Sequence, residues 1–133
     1  MSWTATRTVE FAHCDPAGIV FYPRYFEMIN SVIEEFFAAH VNHPFAKMIF
    51  QGKNGMPTAQ ISVSFLTPGH LGDELAFSLH FPKVGTSSAT LNMTCAHQGQ
   101  TRFTVEQVLV RTDLSTGKSS PWPADIAEKL KSA

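Results

Sequence analysis

From Pro57 to Val110 the sequence repeats every two residues, four times over. Ala59, Ile61, Val63 and Phe65 alternate with Gln60, Ser62 and Ser64. Leu75, Phe77, Leu79 and Phe81 stand opposite Ser78 and His80. Ala89, Leu91, Met93 and Cys95 alternate with Thr90, Asn92 and Thr94. In the last run, Phe103, Val105, Gln107 and Leu109 face away from Thr104, Glu106, Val108 and Val110. Successive side chains of a strand point to opposite faces, so each run buries one face and wets the other. Thr67-Pro68-Gly69-His70 with Gly72-Asp73, then Gly85-Thr86-Ser87, then Gln98-Gly99-Gln100 punctuate the runs. Connections this short join antiparallel neighbours, because parallel strands need long crossovers. The last strand turns apolar on both faces towards its end, which suits a central position.

Such a sheet needs a cover for its apolar face, and the chain supplies one upstream. From Pro23 to His40, Phe26, Ile29, Ile33, Phe36 and Phe37 recur at helical spacing, and Met28 and Val32 widen the stripe. Glu27, Asn30, Ser31, Glu34 and Glu35 lie mostly off it. Asn42-His43-Pro44 stops this helix. Phe45 to Met56 is mixed, with one or two helical turns over Ala46–Phe50 and a loop over Gln51–Gly55. A first strand is expected from Thr4 to Phe11. Pro121 and Pro123 close the strand region, and Ala124–Lys131 reads as a short helix with Asp125 in its first turn and Lys129 and Lys131 in its last. One antiparallel sheet against one long helix is an α+β architecture, expected as a single domain over 1–133. Eleven Phe in 133 residues point to a bulky core or a large subunit interface.

The formal net charge of -1, with no basic stripe, argues against nucleic acid as a partner. No apolar run reaches membrane-spanning length and no apolar signal core opens the chain, so a cytoplasmic protein with no membrane partner is expected. Cys14 and Cys95 do not make a disulfide framework.

Between first strand and helix lies the most pointed stretch, from Phe11 to Phe26. Pro16 biases Asp15 away from helical backbone, Gly18 permits a positive φ, and Pro23 fits a first helical position, where its missing N–H costs nothing. The result is a carboxylate on a rigid turn beside a helix N-terminus. That end carries unpaired N–H groups and a partial positive charge. Such a pair can polarise a carbonyl while the acid attacks it or activates water.

His13-Cys14-Asp15-Pro16-Ala17-Gly18-Ile19-Val20-Phe21-Tyr22-Pro23-Arg24-Tyr25 closely resembles the signature of hotdog-fold acyl-CoA thioesterases of the 4-hydroxybenzoyl-CoA thioesterase type, and Gly55-Met56-Pro57 leading into Ser62–Phe65 looks like that family's second strand. The resemblance implies a five-stranded antiparallel sheet wrapped around the long helix. It also implies sheets joined edge to edge in a homodimer, with dimers pairing into a homotetramer. The reaction would be hydrolysis of an acyl-CoA to acid and CoA, with no metal and no cofactor beyond the CoA of the substrate. Asp15 would be nucleophile or general base, and the Tyr22 N–H would polarise the thioester carbonyl. An aromatic acyl group, 4-hydroxybenzoyl first, is the favoured substrate. Gly18 would shape the site, Phe21 and Tyr25 would line an acyl pocket, and Lys83, on the turn after the strand ending at Phe81, would hold a CoA phosphate.

Other readings of the same residues are weaker. Cys14 and His13 invite a thiolate–imidazole pair, yet neighbours in an extended segment diverge. His13, Cys14 and Asp15 as metal ligands would need a second cluster that the sequence lacks. Glu34 with His13 across an interface would suit a hotdog hydratase or dehydratase on an enoyl-CoA. A chain that kept the fold and lost the chemistry would be an acyl-CoA-binding protein. Lys47, Lys53, Arg102 and Arg111 read as scattered surface charges, and His70, His80 and His97 carry no assignment.

Overall fold

The structure is a computed structural model that describes residues 2–133. Strand β1 (Trp3–Thr8) leads through a single 3-10 turn (Phe11–His13) and the Asp15 turn into helix α1 (Pro23–Ala39). Helix α2 (Phe45–Phe50) and the two-residue strand β2 (Asn54–Gly55) come next. Then come β3 (Thr58–Phe65), β4 (Glu74–Val84), β5 (Ser88–His97) and β6 (Gln100–Val110). The short β7 (Thr112–Asp113) pairs with β2, and α3 (Ala124–Lys131) ends the chain. Among the described residues no helix is long and apolar enough to cross a membrane.

The main sheet has the order β1-β4-β5-β6-β3, and every pairing is antiparallel. Its inner face is the one that the alternation marks. Leu75, Phe77 and Leu79 of β4, Leu91, Met93 and Cys95 of β5, and Phe103 and Val105 of β6 are all buried. Helix α1 lies across them with Tyr25, Met28, Ile29, Val32, Ile33, Phe36 and Phe37 inward. Tyr25 meets Phe103 at 4.5 Å between ring centroids, and Phe36 meets Phe81 at 5.3 Å. Aromatic pairs at these separations add to the burial of area. This is the helix-in-sheet arrangement of the hotdog fold.

Three strand features differ from the expectation. First, β3 and β4 are not neighbours, although only residues 66–73 separate them. Strand β3 pairs with β6, so that connection crosses to the other side of the sheet instead of closing a hairpin. Second, β1 stops at Thr8. The Glu10 N–H donates to His13 Nδ1 at 2.8 Å, and the chain turns away, leaving Phe11 exposed. Third, Asn54–Gly55 is a strand instead of loop, because β7 lies beside it. Helix α1 ends one residue before His40, whose Nε2 instead contacts the Lys129 carbonyl and Ser132 Oγ at the end of α3.

Candidate active site

The segment from Cys14 to Val20 is a tight reversal held by its own backbone. Cys14 and Val20 form an antiparallel bridge. The Asp15 N–H donates to the Ile19 carbonyl at 2.9 Å, and the Gly18 N–H donates back to the Asp15 carbonyl at 3.0 Å. Gly18 adopts φ +78°, the left-handed conformation that a side chain would disfavour. Asp15 is half-buried, and its Oδ1 accepts the Ala17 N–H at 2.8 Å. Its other oxygen has no hydrogen bond and no ion pair among the described residues.

Two bonds lock the approach to the helix. The Phe21 N–H donates to the His13 carbonyl at 2.9 Å, and the Val20 N–H donates to the Gly69 carbonyl at 2.9 Å. Tyr22 then caps α1, with Pro23 at the first helical position. Helix N-termini leave several N–H groups without partners. Here Pro23 has none to offer, Arg24 donates to the Phe21 carbonyl at 2.8 Å, and Tyr25 donates to the Tyr22 carbonyl at 3.1 Å. The Tyr22 N–H makes no hydrogen bond among the described residues. It is the open donor at the positive end of a 17-residue helix.

A groove of about 240 Å³ opens beside this donor, lined by Val20, Tyr22, Tyr25, Phe65, Leu66 and Pro68. Its walls are aromatic: Phe65 lies 6.2 Å from Tyr22 and stacks on Tyr25 at 5.9 Å, between ring centroids. The Tyr25 ring is buried and its hydroxyl accepts the Gly69 N–H at 2.9 Å. Burial holds the Tyr25 hydroxyl above its ordinary pKa, so it stays protonated. A different hollow, of about 270 Å³, lies between α1, α2 and β3 and carries no titratable side chain.

The thioesterase-like superfamily profile matches residues 9–130. The chain belongs to the thioesterase-like superfamily. It is 29% identical, over 98% of its length and 88% of the relative's, to a 1,4-dihydroxy-2-naphthoyl-CoA hydrolase of Nostoc punctiforme. A crystal structure of a 1,4-dihydroxy-2-naphthoyl-CoA thioesterase from Synechocystis superposes with a TM-score of 0.88 at 20% identity, covering 98% of this chain and 96% of that one. The 4-hydroxybenzoyl-CoA thioesterase of Pseudomonas sp. strain CBS-3 superposes at 0.87 with 22% identity, covering 96% and 98%. The hotdog fold and the enzyme class expected from the sequence, acyl-CoA thioesterase, both stand.

Within this thioesterase-like chain, Asp15, Gly18, Phe21, Tyr22 and Tyr25 all fall in one neighbourhood. Phe21 is half exposed and packs edge-on against Tyr22 at 5.7 Å. Tyr25 lines the groove, but its hydroxyl is committed to Gly69. Lys83 lies elsewhere: it sits within β4, paired with Thr90 past a bulge, and not in a turn. Nine residue steps along β4 separate it from Glu74, about 30 Å at the usual rise. Within one chain it does not share the Asp15 site. Cys14 and His13 do not pair. The thiol donates to the Glu10 carbonyl at 3.5 Å while the ring accepts the Glu10 N–H. Glu34 is exposed on α1, about three turns beyond Tyr22.

Arg102 is not a surface charge. It is 6% exposed, and the carboxylate paired with it is Asp73. Arg102, Asp73, His70 and His97 form a cluster behind the site that the sequence alone does not mark.

Proposed function

We propose that this thioesterase hydrolyses an aromatic acyl-CoA, with Asp15 as nucleophile or general base and the Tyr22 N–H as the donor to the thioester oxygen. One observation carries the reading: Tyr22, whose N–H is unengaged at the start of the helix, lines an aromatic groove and follows directly on a turn whose carboxylate has a free oxygen. An N–H fixed before the reaction stabilises the oxyanion without reorganising as charge develops.

In the base route, Asp15 takes a proton from water as the water oxygen attacks the carbonyl carbon. The C–S bond then breaks, and the CoA thiolate leaves and regains a proton. In the nucleophilic route a carboxylate oxygen of Asp15 attacks the same carbon and displaces the thiolate. Water then cleaves the resulting anhydride to free acid and Asp15. Both routes use the same residue in the same place.

The aromatic preference rests on the groove walls and on the acyl groups named for the relatives. A flat ring between Tyr22, Phe65 and Leu66 would find the stacking and edge contacts that aromatic faces favour. A second copy of the chain completes the reading. Strand β3 is an edge with free backbone groups and exposed Ile61 and Phe65, and Leu66 just after it is exposed too. Pairing of β3 with its counterpart would cover them and close the groove.

The test is release of free thiol from a panel of aromatic and aliphatic CoA thioesters by wild type and Asp15→Asn. We expect the fastest release from 4-hydroxybenzoyl- or dihydroxynaphthoyl-CoA, with a loss on the order of 10²-fold or more in the variant. Near wild-type hydrolysis by Asp15→Asn would remove Asp15 from the chemistry. Faster release from short aliphatic thioesters would remove the aromatic preference and keep the mechanism.

A further inference from the structure

Residues 69–71 run alongside the catalytic turn and brace it from the sheet side. Gly69 accepts the Val20 N–H at 2.9 Å, Ile19 bridges to His70, and the Leu71 N–H donates to the Gly18 carbonyl at 3.0 Å. Whatever fixes this segment therefore fixes Asp15 and the approach to Tyr22. Two side chains grip it through consecutive N–H groups. Tyr25, from α1, takes the Gly69 N–H. From the sheet side, Asp73 Oδ2 takes the His70 N–H at 2.9 Å.

Asp73 is itself anchored. Its Oδ2 lies 3.7 Å from Arg102 Nη2, and its Oδ1 lies 3.5 Å from His97 Nε2. His97 Nδ1 contacts the Glu74 carbonyl at 2.9 Å; a carbonyl can only accept, so Nδ1 carries the proton there. His70 Nδ1 is 3.8 Å away on the exposed side. The Arg102 guanidinium donates to Gln100 Oε1 at 2.8 Å, and the Arg102 carbonyl accepts the Leu66 and Thr67 N–H groups where the crossing connection begins. A buried cation without its carboxylate is costly, so Asp73 has a fixed place to which the loop must come.

We propose that Asp73, held by Arg102, is a positioning residue for catalysis: it sets the 69–71 segment and, through it, the Asp15 turn and the Tyr22 N–H. It touches no reacting atom. The proposal rests on the roles given above to Asp15 and Tyr22, and its test is built to separate the two.

The variants are Asp73→Asn, Asp73→Ala, Arg102→Gln and the double Asp73→Asn/Arg102→Gln. Glu35→Gln, which breaks the surface pair with Arg7, is the control. Amide hydrogen exchange is read at Asp15, Val20 and Phe21, with Ala127 in α3 as the internal reference. In the single variants we expect exchange at the turn to quicken by about tenfold or more and Ala127 to be unchanged. We expect kcat for 4-hydroxybenzoyl-CoA, or for whichever thioester the panel shows is turned over, to fall on the order of 10- to 100-fold, with KM within about threefold. The double variant, with neither charge left unpaired, should recover much of both losses. Glu35→Gln should move neither. If Asp73→Ala does not fold, Asp73→Asn and the double variant decide.

A lower melting temperature with kcat and turn exchange unchanged would reduce Asp73 to a structural residue and overturn the proposal. The exchange readout needs no substrate. Asp15→Asn retaining activity would overturn the catalytic reading while leaving faster turn exchange as support for the positioning role. An inactive Asp15→Asn beside a fully active Asp73→Asn and Asp73→Ala would do the reverse.

Discussion

Strands β6 and β3 lie side by side and carry the same alternation, yet they live in different solvents. Phe103, Val105 and Leu109 of β6 are buried under α1. Their cross-strand partners on β3 include Phe65, opposite Phe103, and Val63, opposite Val105; Ile61 stands opposite Gln107. Ile61 is 37% exposed and Phe65 47%. The helix covers β6 fully but β3 only in part, through Tyr25 and Phe26 against Phe65, so the apolar face of β3 stays half open to water. The period of a strand tells which residues share a face, and says nothing of whether anything covers that face. In β6 the pattern is spent on the core. In β3 it is left for a groove and for an edge, and an uncovered apolar edge is a place where another chain pairs.

The sharpest way to break this comparison is to truncate one aromatic on each strand. Phe103→Ala should cost the fold about 3–5 kcal/mol, the usual range for emptying a large core site, with loss of the ring contacts to Tyr25 and Phe77. Phe65→Ala, half exposed, should cost roughly 1–2 kcal/mol, scaled from that same range. The order should invert for turnover: Phe65 forms the groove wall, so its loss should raise KM for aromatic thioesters more than Phe103→Ala does at a temperature where both are folded. Urea titration and steady-state kinetics on the two variants give both orders. Equal costs to stability would mean that β3 is as covered as β6.

The two strands also mark how far the sequence could be read. Alternation located β3 to β6 and sorted their faces, and the 3.6 period located α1, because burial on one side forces those spacings. What it could not say is which strand neighbours which. Residues 66–73 look like a turn, being rich in Pro, Gly and Asp, and they do turn; they also cross the sheet, which depends on partners far away in sequence. Strands β2 and β7 have two residues each, too few for any period. The path from Asp15 to Tyr22 was legible in outline, since Pro16, Gly18 and Pro23 each restrict the backbone. Asp73 and Arg102 were not. A buried ion pair leaves no spacing signal, and an Arg at a strand start looks the same whether its guanidinium meets water or a carboxylate.

A second contrast uses the cysteines. Cys95 lies in β5 at 0% exposure, and burial pushes its thiol up to about 12 from 9.0. Cys14, at the turn, is half-buried. A thiol-specific disulfide reagent at pH 8 should modify Cys14 first and reach Cys95 only on unfolding. The raised value also gives stability a pH slope. The folded state keeps its proton longer than the unfolded chain, so this contribution is complete below pH 9 and is lost as pH climbs towards 12. The slope approaches roughly 1.4 kcal/mol per pH unit inside that window. Tyr25, raised by burial in the same sense, steepens the loss at its upper end. Melts of wild type and Cys95→Ala between pH 8 and 11 should diverge least at the alkaline end, where the wild type has lost the advantage of its buried thiol. Parallel curves would show that Cys95 ionises freely.

The mildest change tests the edge itself. Ile61→Lys places a charge on the exposed face of β3 without emptying the core, and surface substitutions of this kind move folding stability by about 0.5 kcal/mol or less. If β3 pairs with its counterpart in a second chain, the two Lys would lie near one another in a dry seam. A charge on an edge strand is how natural sheets prevent such pairing. Sedimentation velocity should then show the variant at half the wild-type mass or less, with its helix and sheet content unchanged by circular dichroism. An unaltered sedimentation profile, with wild type and variant of equal mass, would take the subunit contact away from β3 and leave its apolar face to the groove alone.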